Sequence, residues 1–297
     1  MKIGDTHTTE VTFSQADFDR FAALSGDDNP IHVDPDFAAR TKFGKTVAHG
    51  MLLYSTLIQI LGDVFPGPST RQLSQQLMFP SPTFVREKLR VELEVTARPA
   101  PRTAEISTDI FRPSGEMGCT GKTWVALPEF TPEDINLSEI EVPSPFPEQQ
   151  NEIQFHQGLT LGQTASHTYT ITAGDHRAYL ELLDEQNPLY TDNDYAKRIG
   201  FRGRQLTGGQ LGGMTSHLLG TRLPGRGTNW LKQHFTFIKP AYPEEPITGR
   251  VRIIRLRPAK DLVNLITRHE NQAGELLVSG EALVWTSDLE RTSDAQD

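Results

Sequence analysis

Several short runs of the chain alternate apolar and polar positions. "LRVELEV" (residues 89–95) and most of "GRVRIIRL" (residues 249–256) put an apolar side chain on every second position, as a strand with one wet face requires. Similar runs predict strands near Arg71–Phe79, Lys88–Ala97, Thr103–Phe111 and Met117–Leu127. A second set is predicted near Trp230–Ile238, Ile247–Leu256, Leu262–Glu270 and Glu275–Thr286, with short strands near Thr8–Thr12 and Ala165–Ile171. After each short strand the pattern turns helical. Ser14 with Asp17, and Thr172 with Asp175, have the spacing of a capping box at a helix start. An Asn-Pro turn follows. Asp34-Pro35 then opens another short helix, with an N-cap residue and proline at the first helical position. "VAHGMLLYSTLIQILGDVF" and "LTGGQLGGMTSHLLGTRL" are apolar enough to be buried central helices.

The order of elements occurs twice, and so do the residues. Asn29-Pro30 and Asn187-Pro188 are 158 positions apart. The same offset carries Phe21 to Tyr179, Asp34 to Asp192, Arg40 to Arg198, Gly50 to Gly208, Leu61 to Leu219 and Phe79 to Phe237. A register held over about sixty positions marks a duplicated unit. The expected organisation is a first half over 1–127, a linker over 128–160 and a second half over 161–297. The linker contains "PEFTPEDINLSEIEVPSPFPEQQ", rich in proline and acids and without periodicity. A long helix followed by an antiparallel meander makes each half α+β. Two such halves can join their sheets edge to edge as an intramolecular pseudo-dimer, which protects strand edges. A homodimer of such chains is compatible with this arrangement.

Composition narrows the function. The chain is 36% hydrophobic and 23% charged over 297 residues, a globular balance with length enough for a large core. A net charge of -9 argues against a general nucleic-acid binder. Cys119 is the single cysteine, so no internal disulfide forms and the usual zinc spacings are absent. No metal is expected. "MKIGDTHTTEVTF" has no apolar signal core, and no run approaches the ~18 apolar residues of a membrane span. The expectation is a soluble, cytoplasmic protein without membrane partners.

The densest chemistry lies in "SGDDNPIHVDP", Ser25–Pro35. Asp27 and His32 are five apart and would diverge on a straight helix. Across a turn made by Gly26 and Pro30 they can face one cavity and bracket a water, as an acid–base pair suited to neutral pH. Asn29 can bond across the turn or to the Asp. The same residue types also suit a purely structural turn. In "AHGM", Gly50 starts an apolar helix, so its N–H is an unsatisfied donor at the positive end of the helix dipole. Such a donor can hold an oxyanion, although a lone glycine also suits tight packing. His49 is expected to pack. In the second half Glu185 and Tyr190 replace Asp27 and His32, while Gly208 keeps the glycine. Tyrosine is a poor base at neutrality.

"FAALSGDDNPIHVDPDFAARTKFGKTVAHGML", Phe21–Leu52, resembles the motif of the MaoC-like, R-specific enoyl-CoA hydratases (hydratase 2). "FPSPTFVREKLRVE" resembles that family's following strand pair. The resemblance implies a tandem, or double, hot-dog fold, in which a long helix is wrapped by an antiparallel sheet. It implies reversible syn hydration of a trans-2-enoyl-CoA to a (R)-3-hydroxyacyl-CoA, in fatty acid metabolism and without a cofactor beyond the CoA thioester. Asp27 and His32 match the residues that hold and activate water, and Gly50 the oxyanion donor. Which of the pair activates water stays open. The second half resembles the same fold with a degenerate motif, expected to be inactive and to contribute shape. Eukaryotic double-hot-dog hydratases keep the motif in the C-terminal half, whereas this chain keeps it in the N-terminal half.

Phosphates on CoA call for cations near the site. Arg40, Lys42 and Arg86 are the candidates, with Lys45 and Lys88 beside them, and Asn29 is a further candidate for substrate binding. Alternatives of other classes are a hydratase of branched or dicarboxylic enoyl-CoA (mesaconyl or itaconyl type), a hot-dog acyl-CoA thioesterase, and a non-enzymatic acyl-CoA-binding subunit.

Overall fold

The computed structural model describes residues 1–128, 130 and 154–287. The first half runs β1 (Thr6–Val11), α1 (Gln15–Ser25), α2 (Pro30–Val33), α3 (Pro35–Ala39), α4 (Gly50–Asp63), then β2 (Arg71–Met78), β3 (Leu89–Ala97), β4 (Thr103–Phe111) and β5 (Met117–Ala126). A short hairpin follows, β6 (Phe155–His156) with β7 (Leu159–Thr160). The second half repeats the order as β8 (Thr164–Thr170), α5 (Ala173–Leu183), α6 (Pro188–Thr191), α7 (Asn193–Arg198), α8 (Gly208–His217), β9 (Asn229–Phe237), β10 (Pro246–Arg257), β11 (Leu262–Asn271) and β12 (Leu276–Trp285).

Local sequence explains the helix ends. Both capping boxes form: Ser14 with Asp17, and Thr172 with Asp175. Gly26 ends α1 in the left-handed region at φ 80°, so the chain reverses directly into the Asp27 loop. Asn29 caps α2 and Asp34 caps α3, each followed by proline at the first helical position.

The strands form one ten-stranded antiparallel sheet, in the order β1-β3-β4-β5-β2-β9-β12-β11-β10-β8. The second five mirror the first. The halves join where β2 pairs with β9, and there Gln76 lies opposite His234, its own counterpart 158 positions on. The pseudo-twofold axis therefore passes through this pair. On β3 the inward positions Leu89, Val91, Leu93 and Val95 are buried in the same core as α4, while the alternate positions are wet or half-buried. α4 is buried nearly all round, from Met51 to Leu61, because sheet covers one side and α8 the other.

Part of the expected linker, residues 131–153, lies outside the described residues. Its end is not a plain connection. Leu159 of the β6–β7 hairpin is buried with Val251 and Leu256 of β10, and His156 bonds Asp261 at 3.1 Å. An apolar anchor within a polar segment thus ties the hairpin to the second half.

The α4–α8 contact is close because α8 carries glycines there. A Cβ on Gly209 would run into the hydroxyls of Ser55 and Tyr179, which bond each other, and one on Gly212 would lie 2.7 Å from Met51 Sδ. Gly209→Val is expected to lower stability by about 1–3 kcal/mol through overpacking, measured by urea denaturation. A variant as stable as the parent would mean that this contact is not tight.

Candidate active site

A cavity of about 360 Å³ opens where the halves meet. Asp27, Asn29, His32 and Gly50 line it from the first half, and Ser216, Leu219, Gly220, Trp230 and Trp285 line it from the second. The αL turn at Gly26 and the short α2 bring Asp27 and His32 together, as their spacing across a turn predicts.

The hydrogen bonds fix each group. His32 Nδ1 lies 2.7 Å from the Val47 carbonyl. A carbonyl only accepts, so Nδ1 carries the proton and Nε2 is left as the exchanging nitrogen. Burial pushes the His32 pKa below its usual value, against the opposing pull of Asp27 and the Val47 bond, so the ring is neutral at physiological pH. Asp27 is almost fully buried. Its Oδ2 accepts a 2.6 Å bond from the Ser216 hydroxyl, and its Oδ1 a longer bond, 3.4 Å, from the Asn29 N–H. The Asn29 side chain accepts from Ile31 N–H, capping α2 while it faces the cavity.

Gly50 is the first residue of α4 and contributes only main-chain atoms to the cavity wall. Its N–H is one of the helix's unsatisfied donors, at the positive end of a fourteen-residue helix. Packing needs the glycine as well, because a Cβ would lie 2.8 Å from the Phe79 ring. His49 caps α4 without a side-chain capping bond. It is fully buried, places Nε2 3.0 Å from the Asp27 carbonyl, and stacks on His32 with ring centres 3.8 Å apart.

Asp27, His32 and His49 bring one donor atom each within 4.8 Å of one another, close enough to suggest a cation. The two imidazoles lie nearly flat on each other, at 28°. Their in-plane lone pairs therefore run side by side instead of converging on one point, which suits proton transfer better than coordination.

The cationic candidates divide. Lys42 lines the cavity, with Nζ 3.8 Å from the Trp285 ring centre. Arg40 and Arg86 do not line the cavity. Arg40 sits over Phe37 at 6.0 Å and is no part of the wall. Arg86 is exposed at a left-handed position, φ 63°, whose N–H bonds the Phe13 carbonyl, and it too is absent from the wall. Of the two lysines named beside them, Lys45 lies over Phe84 and Lys88 pairs with Glu10.

The second half does more than lend shape, since it supplies the Ser216 hydroxyl. After α8 the helix widens into a π turn, Leu218–Arg222, that carries Leu219 and Gly220 into the cavity. A Cβ on Gly220 would lie 2.8 Å from Asp27 Oδ1, so this turn can close on the carboxylate only as glycine. One signal for Ser216 lay in the repeat itself: its counterpart is Ile58, an apolar residue on the equivalent helix.

The equivalent place in the second half is filled. Tyr190 is buried, and burial pushes its hydroxyl pKa further up. Asn229, which lines the cavity, has Arg71 as its counterpart; that guanidinium is buried over Phe201 at 5.3 Å, and Phe130 packs on Phe201. The Glu185 pKa is pushed up to about 9 by burial and by Asp63. Among the described residues no donor faces its Oε2, so the carboxyl keeps its proton and can donate it to Asp63.

Sequence and structure comparisons place this arrangement among tandem hot-dog proteins. A MaoC-like dehydratase superposes over 96% of this chain and 98% of its own, with a TM-score of 0.75 at 15% identity. A Mycobacterium tuberculosis protein described as having a double hotdog fold gives 0.71 at 15% identity, over 96% of this chain and 96% of its own. Residues 2–109 match the family described as the MaoC like domain. The (R)-specific enoyl-CoA hydratase of Aeromonas caviae is 40% identical over 129 residues, which are 43% of this chain and 96% of that protein. That of Rhodospirillum rubrum is 32% identical over 44% of this chain and 91% of its own length. The chain belongs to the MaoC-like family. Among the described residues no helix is long and apolar enough to cross a membrane.

Two tests follow from the geometry. Ser216→Ala leaves Asp27 Oδ2 without its donor and should lower turnover by about tenfold, with little change in melting temperature. Turnover equal to the parent would remove Ser216 from the site. Glu185 holds its proton to about pH 9 when folded, whereas unfolded chain releases it near its ordinary value. Stability is therefore intact below the unfolded pKa and is lost as pH rises through the folded one. Glu185→Gln should leave the melting temperature unchanged in acid and raise it increasingly towards alkaline pH. A constant difference at all pH values would contradict the buried neutral carboxyl.

Proposed function

We propose that the protein is a hydro-lyase that adds water reversibly to a trans-2-enoyl-CoA, giving a (R)-3-hydroxyacyl-CoA. The observation that carries this reading is the convergence of Asp27, His32 and the Gly50 main chain on one cavity. The reaction passes through an enolate-like thioester. It needs a base for water, a proton for Cα and a donor for the developing oxyanion. His32 Nε2 and the Asp27 carboxylate supply the first two as a coupled pair holding one water. Both groups line the same cavity, so water and proton can be delivered to one face of an enoyl group held there, and such an addition is syn. The Gly50 N–H, with the α4 dipole behind it, receives the thioester oxygen.

The relatives support the same substrate class, since the Aeromonas caviae and Rhodospirillum rubrum proteins are named (R)-specific enoyl-CoA hydratases. CoA is the substrate's carrier, and the chemistry asks for no further cofactor. Asp27→Asn should reduce hydration of crotonyl-CoA by about 100-fold or more while the fold survives, followed by loss of enoyl absorbance. Full turnover in that variant would exclude the assignment. Release of free thiol in place of hydration would make the protein a thioesterase.

A further inference from the structure

His49 is a buried ring whose position plain packing does not explain. Among the described residues its Nδ1 has no hydrogen-bond partner, and a buried orphan acceptor destabilises a fold. Phe18 and Phe21 lie against it, with ring centres at 6.4 and 4.9 Å, so an apolar ring would suit the same walls. Two contacts set the histidine apart. The Asp27 carbonyl only accepts, so the 3.0 Å bond to it is donated by Nε2–H of His49, which holds the loop carrying the Asp27 carboxylate. The His49 ring also lies flat against His32, its centre 3.8 Å away, and closes that face of the ring to water.

We propose that His49 is a positioning residue: its Nε2–H fixes the Asp27 main chain, and its neutral ring keeps the inner face of His32 dry and oriented. This rests on the hydratase reading above. The groups that bear on His32 are Asp27, which favours its charged form, the Val47 carbonyl, which does the same, and His49. Those on His49 are His32 and the Asp27 carbonyl, and burial holds the ring neutral. A charged ring at this place would repel the imidazolium that forms when His32 takes a proton. A polar chain there would admit water and raise the pH at which His32 loses its proton.

Two substitutions separate the contacts. His49→Phe keeps the ring against His32 and removes the donor to Asp27. It should lower kcat by about tenfold or more with KM nearly unchanged, and leave the acid limb of the kcat/KM profile in place. His49→Gln keeps a donor and removes the ring. It should retain more of the rate and move the acid limb to higher pH by about one unit. Equal loss in both variants with no movement of the limb would reduce His49 to packing, and parent-like rate and limb in both would remove it from the site. Asp27→Asn assayed alongside isolates the premise, because its full activity would fault the hydratase reading and not His49. If neither variant folds, magnetic resonance of isotope-labelled histidine in the parent protein decides. A neutral His49 protonated on Nε2 throughout the working pH range is expected, and the other tautomer or a charged ring overturns the proposal.

Discussion

The pairing of β2 with β9 is the constraint on which the rest depends. It fuses two five-stranded sheets at the one place where Gln76 meets its own repeat partner His234, so the two halves face each other about that point. Once the sheets are joined this way, α4 and α8 must lie side by side beneath the seam, and glycines on α8 allow the approach. The end of α8 then reaches the Asp27 loop of the first half, and the end of α4 reaches the Glu185 loop of the second. Gly220 lies against Asp27, and its counterpart Gly62 lies against Asn187. Each half's polar loop is therefore completed by the other half's central helix.

That exchange explains why the duplicated chain has diverged unevenly. The framework residues that hold the loop, Asn29 and Asn187 with the prolines after them, serve as caps in both copies with nearly the same backbone angles. On the proposed function, chemistry survives where four contributions coincide: Asp27, His32 and Gly50 from one half and Ser216 from the other. In the second place three of the four have changed, to Glu185, Tyr190 and Ile58. Arg71 adds bulk there as well, over Phe201. Losing the histidine is thus one change among several, divided between both halves. The first half cannot form its cavity without the second, because Trp230, Trp285 and Leu219 are part of its wall.

Much of this was legible in the chain itself. Strand and helix bounds follow from periodicity and capping residues because each strand has one buried face and each long helix a clear start. The Asp27–His32 pairing followed from the glycine and proline that shape the turn. The Gly50 donor followed from its place ahead of an apolar helix. What stayed hidden depends on contacts between elements distant in sequence. Ser216 meets Asp27 across 189 positions, and no local pattern marks that bond. Arg40 and Arg86 looked suitable by charge and nearness in sequence to the motif, but neither lines the cavity. His49 looked like packing, and only its orphan nitrogen, its bond to the Asp27 carbonyl and its stack on His32 argue for more.

The central claim is one working site per chain, made jointly by both halves. Calorimetric titration of the intact protein with a non-hydratable saturated acyl-CoA tests it most directly. One equivalent bound per chain, with binding weakened by changing Trp285 in the second half to alanine, is the predicted result. Two equivalents per chain, or one that is indifferent to Trp285, would contradict it.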